Sequence, residues 1–449
     1  MGKVYYACSM PVLNYLLSNK ISLHMSSHVK KFLQGSMISV IGTVLLAVIN
    51  YLVRRTMHNN MTIEQFGLFY SMWNLCSMFI ALTEFGTKSA GTILMTGYLA
   101  SSRKNHANSI FSLVMVFNIA TGLLMVITLA VASPWLMTHF FKCGNEIIPF
   151  MIFLVYMLVA SIEATIRSGL TALQEFFYFN VVNVSRSLLL LLGLIFLLPA
   201  YEIDGAVVCY AFSVMVSAVF SYWLLGRRIK FIPRLGMSRR MVGKVFSLCS
   251  WMTISGAGIS VIFSADSLCL TWLGSLDGVG LYNVALPLMQ LGMSLIVMPM
   301  VFIPIASELW KLKKIDEIRH YCRIINVGLL LFLPVVIVVG YYSAPMVITI
   351  AFGKQSVAAS TALVWLWIGM VFYASAQFNM SALDTGGMQR SSALIVLAAV
   401  VLNLILNIIF IPFYGIDGAA AATAMAYFII ALFTSIRLNL RFRKEKAIV

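Results

Sequence analysis

Apolar residues run through this chain in twelve blocks, and short segments between them hold nearly all the charge. The blocks cover roughly 32–53, 67–87, 109–133, 147–168, 179–198, 205–225, 248–272, 281–306, 324–344, 359–380, 392–413 and 418–438. A helix needs about 20 apolar residues to cross the hydrocarbon of a bilayer. Inside hydrocarbon every backbone N–H and C=O must find a partner within the protein, which leaves helices or a closed barrel. Barrel strands would show alternating segments of about 10 residues instead. The pattern therefore predicts an all-α polytopic membrane protein with twelve transmembrane helices. Pro134, Pro199, Pro345 and Pro412 fall at block ends. Block eight carries Pro287, Pro299 and Pro304 inside it and is expected to kink or break.

The blocks are duplicated. The octapeptide P-x-Y-x-I-D-G-A occurs at Pro199–Ala206 and again at Pro412–Ala419, a shift of 213 residues. At the same shift, Thr62–Phe69 (T-I-E-Q-F-G-L-F) lies under Ser275–Tyr282 (S-L-D-G-V-G-L-Y). Two anchors at one offset imply duplication of a whole unit. Six crossings per unit, an even number, make the repeat parallel, about an axis along the membrane normal. The expected organisation is an N-terminal segment 1–31, a first lobe 32–225, a basic linker 226–247, a second lobe 248–438 and a basic tail 439–449.

Composition agrees with a membrane protein: 61% of residues are hydrophobic and 10% charged, against about 25% charged in soluble domains. The net charge of +16 does not point to nucleic acid, because the cations sit in clusters between apolar blocks rather than on one soluble face. They follow the positive-inside pattern. With the N-terminus inside, 26 of the 31 Lys and Arg fall on the inner side. Arg54, Arg55, Lys142 and Lys354 fall outside, and Arg186 lies within a block. Both termini are thus expected in the cytoplasm. The seven cysteines are scattered, with no C-x-x-C or metal-ligand spacing, so no metal site is expected. Val4–Leu17 is too short to span and shows no A-x-A cleavage site. A cytoplasmic or interfacial segment is the favoured reading there, although whether residues 1–25 belong to the mature protein stays open.

Several of these segments together carry a family resemblance. Asn50–Arg55 with Ile63–Phe69, Gly169–Phe176 (G-L-T-A-L-Q-E-F), Ser264-Ala265-Asp266 with Gly280-Leu281-Tyr282, and the two I-D-G-A sites resemble the patterns of lipid-linked oligosaccharide flippases. These include O-antigen translocases of the multidrug/oligosaccharidyl-lipid/polysaccharide exporter superfamily. The resemblance covers about Phe32 to Leu440. Two positions depart from it: Glu84 stands where the family commonly has Asp, and Ser267 follows Asp266 where a cation is common.

The resemblance implies a MATE-like fold and a transporter rather than an enzyme. It implies movement of a polyprenyl-diphosphate-linked glycan from the cytoplasmic to the outer leaflet of the inner membrane by alternating access. No cofactor is implied beyond a coupling H+ or Na+. Membrane lipids and polysaccharide polymerase or assembly proteins are the expected partners of a monomer. The alternative is a cation-coupled multidrug exporter of the same superfamily. Such relatives usually carry an acid and a proline in the first span, and Phe32–Val53 has neither. No outer loop holds a D-x-D or a His cluster, which argues independently against a membrane glycosyltransferase or polymerase.

A charge inside a span costs about 2.5–3.5 kcal/mol on insertion scales, so each one present calls for a reason. Glu84 with Lys88, and Glu163 with Arg167, are four residues apart and share a helix face. Each couple is either a structural ion pair or part of the lining of a polar cavity. Arg186 lies about seven residues into block five with no acid within a turn. It can face substrate, pair with Glu163 or Glu84 from another helix, or snorkel. Arg186, Arg167 and Lys88 are the candidate headgroup contacts. Arg54 and Arg55 are either interfacial anchors or further ligands for a diphosphate. Asp266 either binds a coupling cation or links helices by hydrogen bonds. The amides Asn180, Asn183, Gln377, Asn379, Asn403 and Asn407 either meet sugar hydroxyls or link helices.

Overall fold

The computed structural model describes residues 27–84, 86–143, 146–228, 239–294 and 298–446. Every regular element among them is helical. The first half contains α1 (Ser27–Asn60), α2 (Ile63–Glu84), α3 (Thr87–Ala100), α4 (Lys104–Trp135), α5 (Ile147–Ala172) and α6 (Phe176–Arg228). The second contains α7 (Arg239–Leu273), α8 (Leu276–Ser294), α9 (Met298–Lys311), α10 (Ile315–Phe352), α11 (Ser360–Thr385) and α12 (Gln389–Lys446).

The helices α6 and α12 are each a tight hairpin of two crossings. A straight helix would hold residues 403 and 423 about 30 Å apart at 1.5 Å per residue. Instead Asn403 Nδ2 reaches Thr423 Oγ1 at 3.2 Å. The reversals fall at Glu202 (φ 44°, ψ −124°) and Gly415 (φ 54°, ψ −127°), three residues after Pro199 and Pro412. The glycine of each I-D-G-A lies against the opposite arm: a Cβ on Gly205 would meet the Leu197 carbonyl oxygen at 2.8 Å, and one on Gly418 the Phe410 oxygen at 2.6 Å. The repeated octapeptide is therefore a hairpin, with proline ending one arm and glycine admitting the other. Among the described residues eight helices, these two included, are long and apolar enough to cross a membrane. With α1 and a crossing formed by α8 and α9, which lie on either side of residues 295–297, twelve crossings result.

Backbone geometry carries the duplication further than identity does. The turn after α5 is closed by Gln174 N–H to Thr171 O and Glu175 N–H to Leu170 O. The turn after α11 repeats it with Gly387 N–H to Asp384 O and Met388 N–H to Leu383 O, again 213 residues on. The left-handed residues Ser102 and Lys313, and Lys142 and Gly353, correspond at 211 residues. The offset thus slips by two residues within each half and recovers.

Some boundaries differ from expectation. The loop expected at 88–108 is mostly the helix α3. Chain direction changes at Gly86 (φ 65°), and Ala90 and Met95 of α3 pack in a core cluster with Phe111 and Val114. Helix α10 does not end at Pro345 but runs to Phe352, leaving the carbonyl at Tyr341 without its helical donor. Helices also enter the segments expected as linker and tail: α6 reaches Arg228, α7 starts at Arg239 and α12 extends to Lys446. The expected N-terminal segment through residue 26, the linker core 229–238, and 447–449 lie outside the described residues.

The two lobes meet where α2 and α8 begin. Each start is capped by its own hydroxyl: Gln65 N–H donates to Thr62 Oγ1 at 3.2 Å, and Gly278 N–H to Ser275 Oγ at 3.1 Å. Three residues beyond Glu64 and Asp277 stand Gly67 and Gly280. A Cβ on Gly67 would lie 1.9 Å from the Leu276 oxygen, and one on Gly280 2.4 Å from the Ile63 oxygen. The repeat-related helices cross backbone against backbone. Around this crossing Ser71 and Thr271 share a hydrogen bond at 2.6 Å, His58 Nε2 pairs with Ser356 Oγ at 2.8 Å, and Tyr51 donates to the Ala351 oxygen at 3.1 Å. This end of the bundle is closed. At the Lys/Arg-rich end the lobes touch along one side, where Phe117 meets Phe246 edge-on.

Candidate substrate cavity

Between the lobes lies a cavity of about 700 Å³, within the range of roughly 300–1,000 Å³ of ligand pockets. Arg54, Arg167 and Arg186 all line it, on α1, α5 and α6. Arg55, exposed one helix position further on, and Lys88 are not among the lining residues. Successive helical residues point about 100° apart, which separates the Arg54–Arg55 pair. Lys88 pairs with Glu84 at 3.8 Å, as their spacing predicts.

The cationic wall is organised by one carboxylate. The Glu163 side chain is fully buried and sits between two arginines. Its Oε2 is 3.4 Å from Arg186 Nη1, and its Oε1 accepts from Ser217 Oγ at 2.8 Å. Arg167 Nε lies 2.9 Å from Oε1 as an ion pair whose N–H is not directed at that oxygen. Arg186 also donates to Tyr156 OH at 3.2 Å, and Arg167 is held by Asn183 Oδ1. Of its three alternatives Arg186 takes the pair with Glu163, and it also lines the cavity. At the closed end Arg54 is buried, donates to the Asn283 oxygen at 3.2 Å, and lies 4.8 Å from the Tyr70 ring centre. It is not an exposed interfacial anchor. Three guanidiniums against one carboxylate leave an excess of two positive charges on this wall.

Asp266 lies in the second lobe, buried and hydrogen-bonded by four neutral donors. Asn407 Nδ2 and Asn403 Nδ2 donate to Oδ1 at 2.8 and 3.2 Å, and Tyr282 OH and Thr423 Oγ1 donate to Oδ2. No Lys or Arg pairs with it among the described residues. Asn403 and Asn407 thus serve as interhelical links, as does Asn379 to Asn326 at 2.9 Å, while Asn183 and Gln377 reach the cavity. Asn180 donates to the Phe176 oxygen on its own helix. Outside the spans, the Glu146 carboxyl is raised above its ordinary value by partial burial and then by Asp204 and Glu202. Among the described residues no cluster of His, Cys, Asp and Glu could hold a metal.

Sequence reasoning missed Ser217, Tyr282 and Thr423 as partners of the buried acids, and Tyr156 as a partner of Arg186. Hydroxyls are common in spans, and no spacing links them to residues on other helices.

Two pseudo-symmetric six-crossing lobes around a polar, charged cavity define a multi-pass membrane protein with a transporter-like fold. Residues 32–310 match the model of the polysaccharide biosynthesis protein family, and the chain belongs to that family. It is 25% identical over 426 residues to an uncharacterised membrane protein of Methanocaldococcus jannaschii, covering 91% of this chain and 84% of that one. A Shigella flexneri protein named "Putative O-antigen transporter" is 26% identical over 264 residues, 57% of this chain and 61% of that one. The fold is that of the MOP superfamily. An inward-facing multidrug resistance MATE family transporter superposes with a TM-score of 0.73 at 15% identity, over 92% of this chain and 99% of that one. A Pyrococcus furiosus MOP superfamily transporter, described by the reverse polarity of its binding pocket, gives 0.68 at 15% identity over 93% and 96%.

Proposed function

We propose that the protein flips a polyprenyl-diphosphate-linked oligosaccharide from the cytoplasmic to the outer leaflet of the cell membrane. The observation that carries this reading is the wall of three guanidiniums, two of them paired with Glu163, in a cavity between two lobes. Moving one unpaired hydroxyl into hydrocarbon costs about 4–8 kcal/mol, and an ionised group far more. A glycan headgroup therefore needs a polar passage with cations to offset its phosphates, while its lipid tail stays in the bilayer. Arg54, Arg167 and Arg186 provide those cations. A cationic drug would meet like charge on the same wall, which disfavours the multidrug alternative. With the Lys/Arg-rich end cytoplasmic, the Gly67–Gly280 crossing closes the outer side, so this is the loading state of an alternating-access cycle.

Reconstituted in liposomes with a polyprenyl-diphosphate disaccharide in one leaflet, the protein is expected to speed the sugar's appearance at the other face, read by an impermeant lectin. A rate equal to that of empty vesicles, with export of cationic dyes in its place, would overturn the assignment.

Asp266 is the proposed coupling site, for a proton or Na+. Its buried carboxylate on α7 is held by amide N–H and hydroxyl donors from α8 and both arms of α12, so taking up a proton or Na+ there would rearrange contacts between these helices. Asp266→Asn is expected to leave the rate unchanged when an inward H+ or Na+ gradient is imposed, whereas the native protein accelerates. A variant that still responds to either gradient removes the site from coupling.

A further inference from the structure

The two walls of the cavity differ in charge. Among the described residues every cation on its lining comes from the first lobe: Arg54, Arg167 and Arg186. The second lobe lines it with Pro287, Gln290, Leu291, Met293, Tyr373 and Gln377, none of them charged. The acid of that lobe's spans, Asp266, adds no positive charge behind this wall.

The polar groups on the second wall suit an uncharged polyol. Gln290 is exposed and its amide has no partner among the described residues, so donor and acceptor are both free of them to meet a ligand. Gln377 donates to Tyr373 OH at 2.5 Å, which leaves its amide oxygen and the tyrosine proton available. Such mixed donor and acceptor groups match sugar hydroxyls, which are both at once. A carboxylate placed there would find amides and a phenol but no counter-charge.

Charge also balances on the first wall. A diphosphate esterified at both ends carries two negative charges at neutral pH, and the excess on that wall is two positive. We infer that the substrate is divided across the cavity, its diphosphate on the first lobe and an electrically neutral glycan on the second, so that the transporter selects neutral over acidic sugars. This rests on the flippase reading and adds the class of glycan. A uronic acid would bring a third negative charge to a wall with no cation to receive it.

The test compares two synthetic probes on the full chain in nanodiscs by isothermal titration. One is a short polyprenyl diphosphate bearing galactosyl-glucose, the other the same lipid bearing galacturonosyl-glucose. The neutral probe is expected to bind about tenfold tighter or more, each tenfold being about 1.4 kcal/mol. Gln377→Arg, which places a cation on the second wall, is expected to reverse the preference. Gln290→Arg does the same at a position with no side-chain hydrogen bond to lose among the described residues, should the first variant fold poorly. Equal or tighter binding of the acidic probe by the native protein overturns the division of the walls and leaves the flippase reading standing. Binding of neither probe overturns the flippase reading itself, and this inference with it.

Discussion

Gly67→Leu is expected to hold the Gly67–Gly280 end of the bundle open and to lower the transport rate at least tenfold. A Cβ at that position would sit 1.9 Å from the Leu276 oxygen, and that neighbour is backbone rather than the end of a flexible side chain. Ordinary C···O contact begins at about 3.3 Å, so α2 and α8 must separate by more than an ångström before the longer leucine side chain is placed. Packed interfaces respond to such a wedge by adopting another arrangement rather than by deforming smoothly. Ser71 and Thr271, whose hydroxyl oxygens are 2.6 Å apart across the same junction, report the outcome. Ser71→Cys with Thr271→Cys should cross-link readily in the parent chain and lose most of that cross-link when Gly67→Leu is added. Gly280→Leu should behave alike, since Gly280 meets Ile63 as Gly67 meets Leu276. Full cross-linking with normal transport would show that close backbone approach is dispensable for closure.

That junction also shows what the sequence makes legible. Both duplicated anchors are places where the backbone has a special task. T-I-E-Q-F-G and S-L-D-G-V-G each supply an N-cap hydroxyl, an acid in the first turn and the glycine of the crossing. The two I-D-G-A sites supply the hairpin reversals. Side-chain identity survives there because few residues satisfy the geometry. Between the anchors any apolar residue serves a lipid-facing or packed helix, so the correspondence of Ser102 with Lys313 shows only in backbone angles.

The site was legible in part for a related reason. Glu163 and Arg167 share a helix, and four-residue spacing fixes their contact. Arg54 and Arg55 are adjacent, so helical geometry sends them to different faces, yet nothing in sequence says which faces the cavity. Arg186 meets Glu163 from another helix, 23 residues away. Only the packing of α5 against α6 decides between its possible partners. The donors around Asp266 repeat the lesson: Asn403 and Asn407, four apart, stand out as an amide pair, whereas Tyr282 and Thr423 reach it from other helical segments.

Glu163 and Arg186 should separate folding from transport. In Glu163→Ala two guanidiniums remain beside a buried position with no carboxylate, a loss of about 3–5 kcal/mol for a broken buried pair. Both arginines keep some solvent contact, with 18% and 20% of their side chains exposed, so the lower part of that range is expected. The variant should show a lower melting point in detergent and reduced accumulation in membranes. Arg186→Ala leaves Glu163 still paired with Arg167 and still accepting from Ser217. Its melting point should change little, while one of the three cavity cations is gone and flipping of the diphosphate probe should fall about a hundredfold. The double variant Glu163→Ala/Arg186→Ala removes one buried charge of each sign and should recover part of the melting-point loss without recovering transport. The two single effects are then non-additive in stability, as contacting residues are, and dominated by Arg186 in transport. Export at the native rate by Arg186→Ala would show that this guanidinium serves Glu163 alone. The cationic wall would then be scaffolding, and the headgroup would have to be held elsewhere in the cavity.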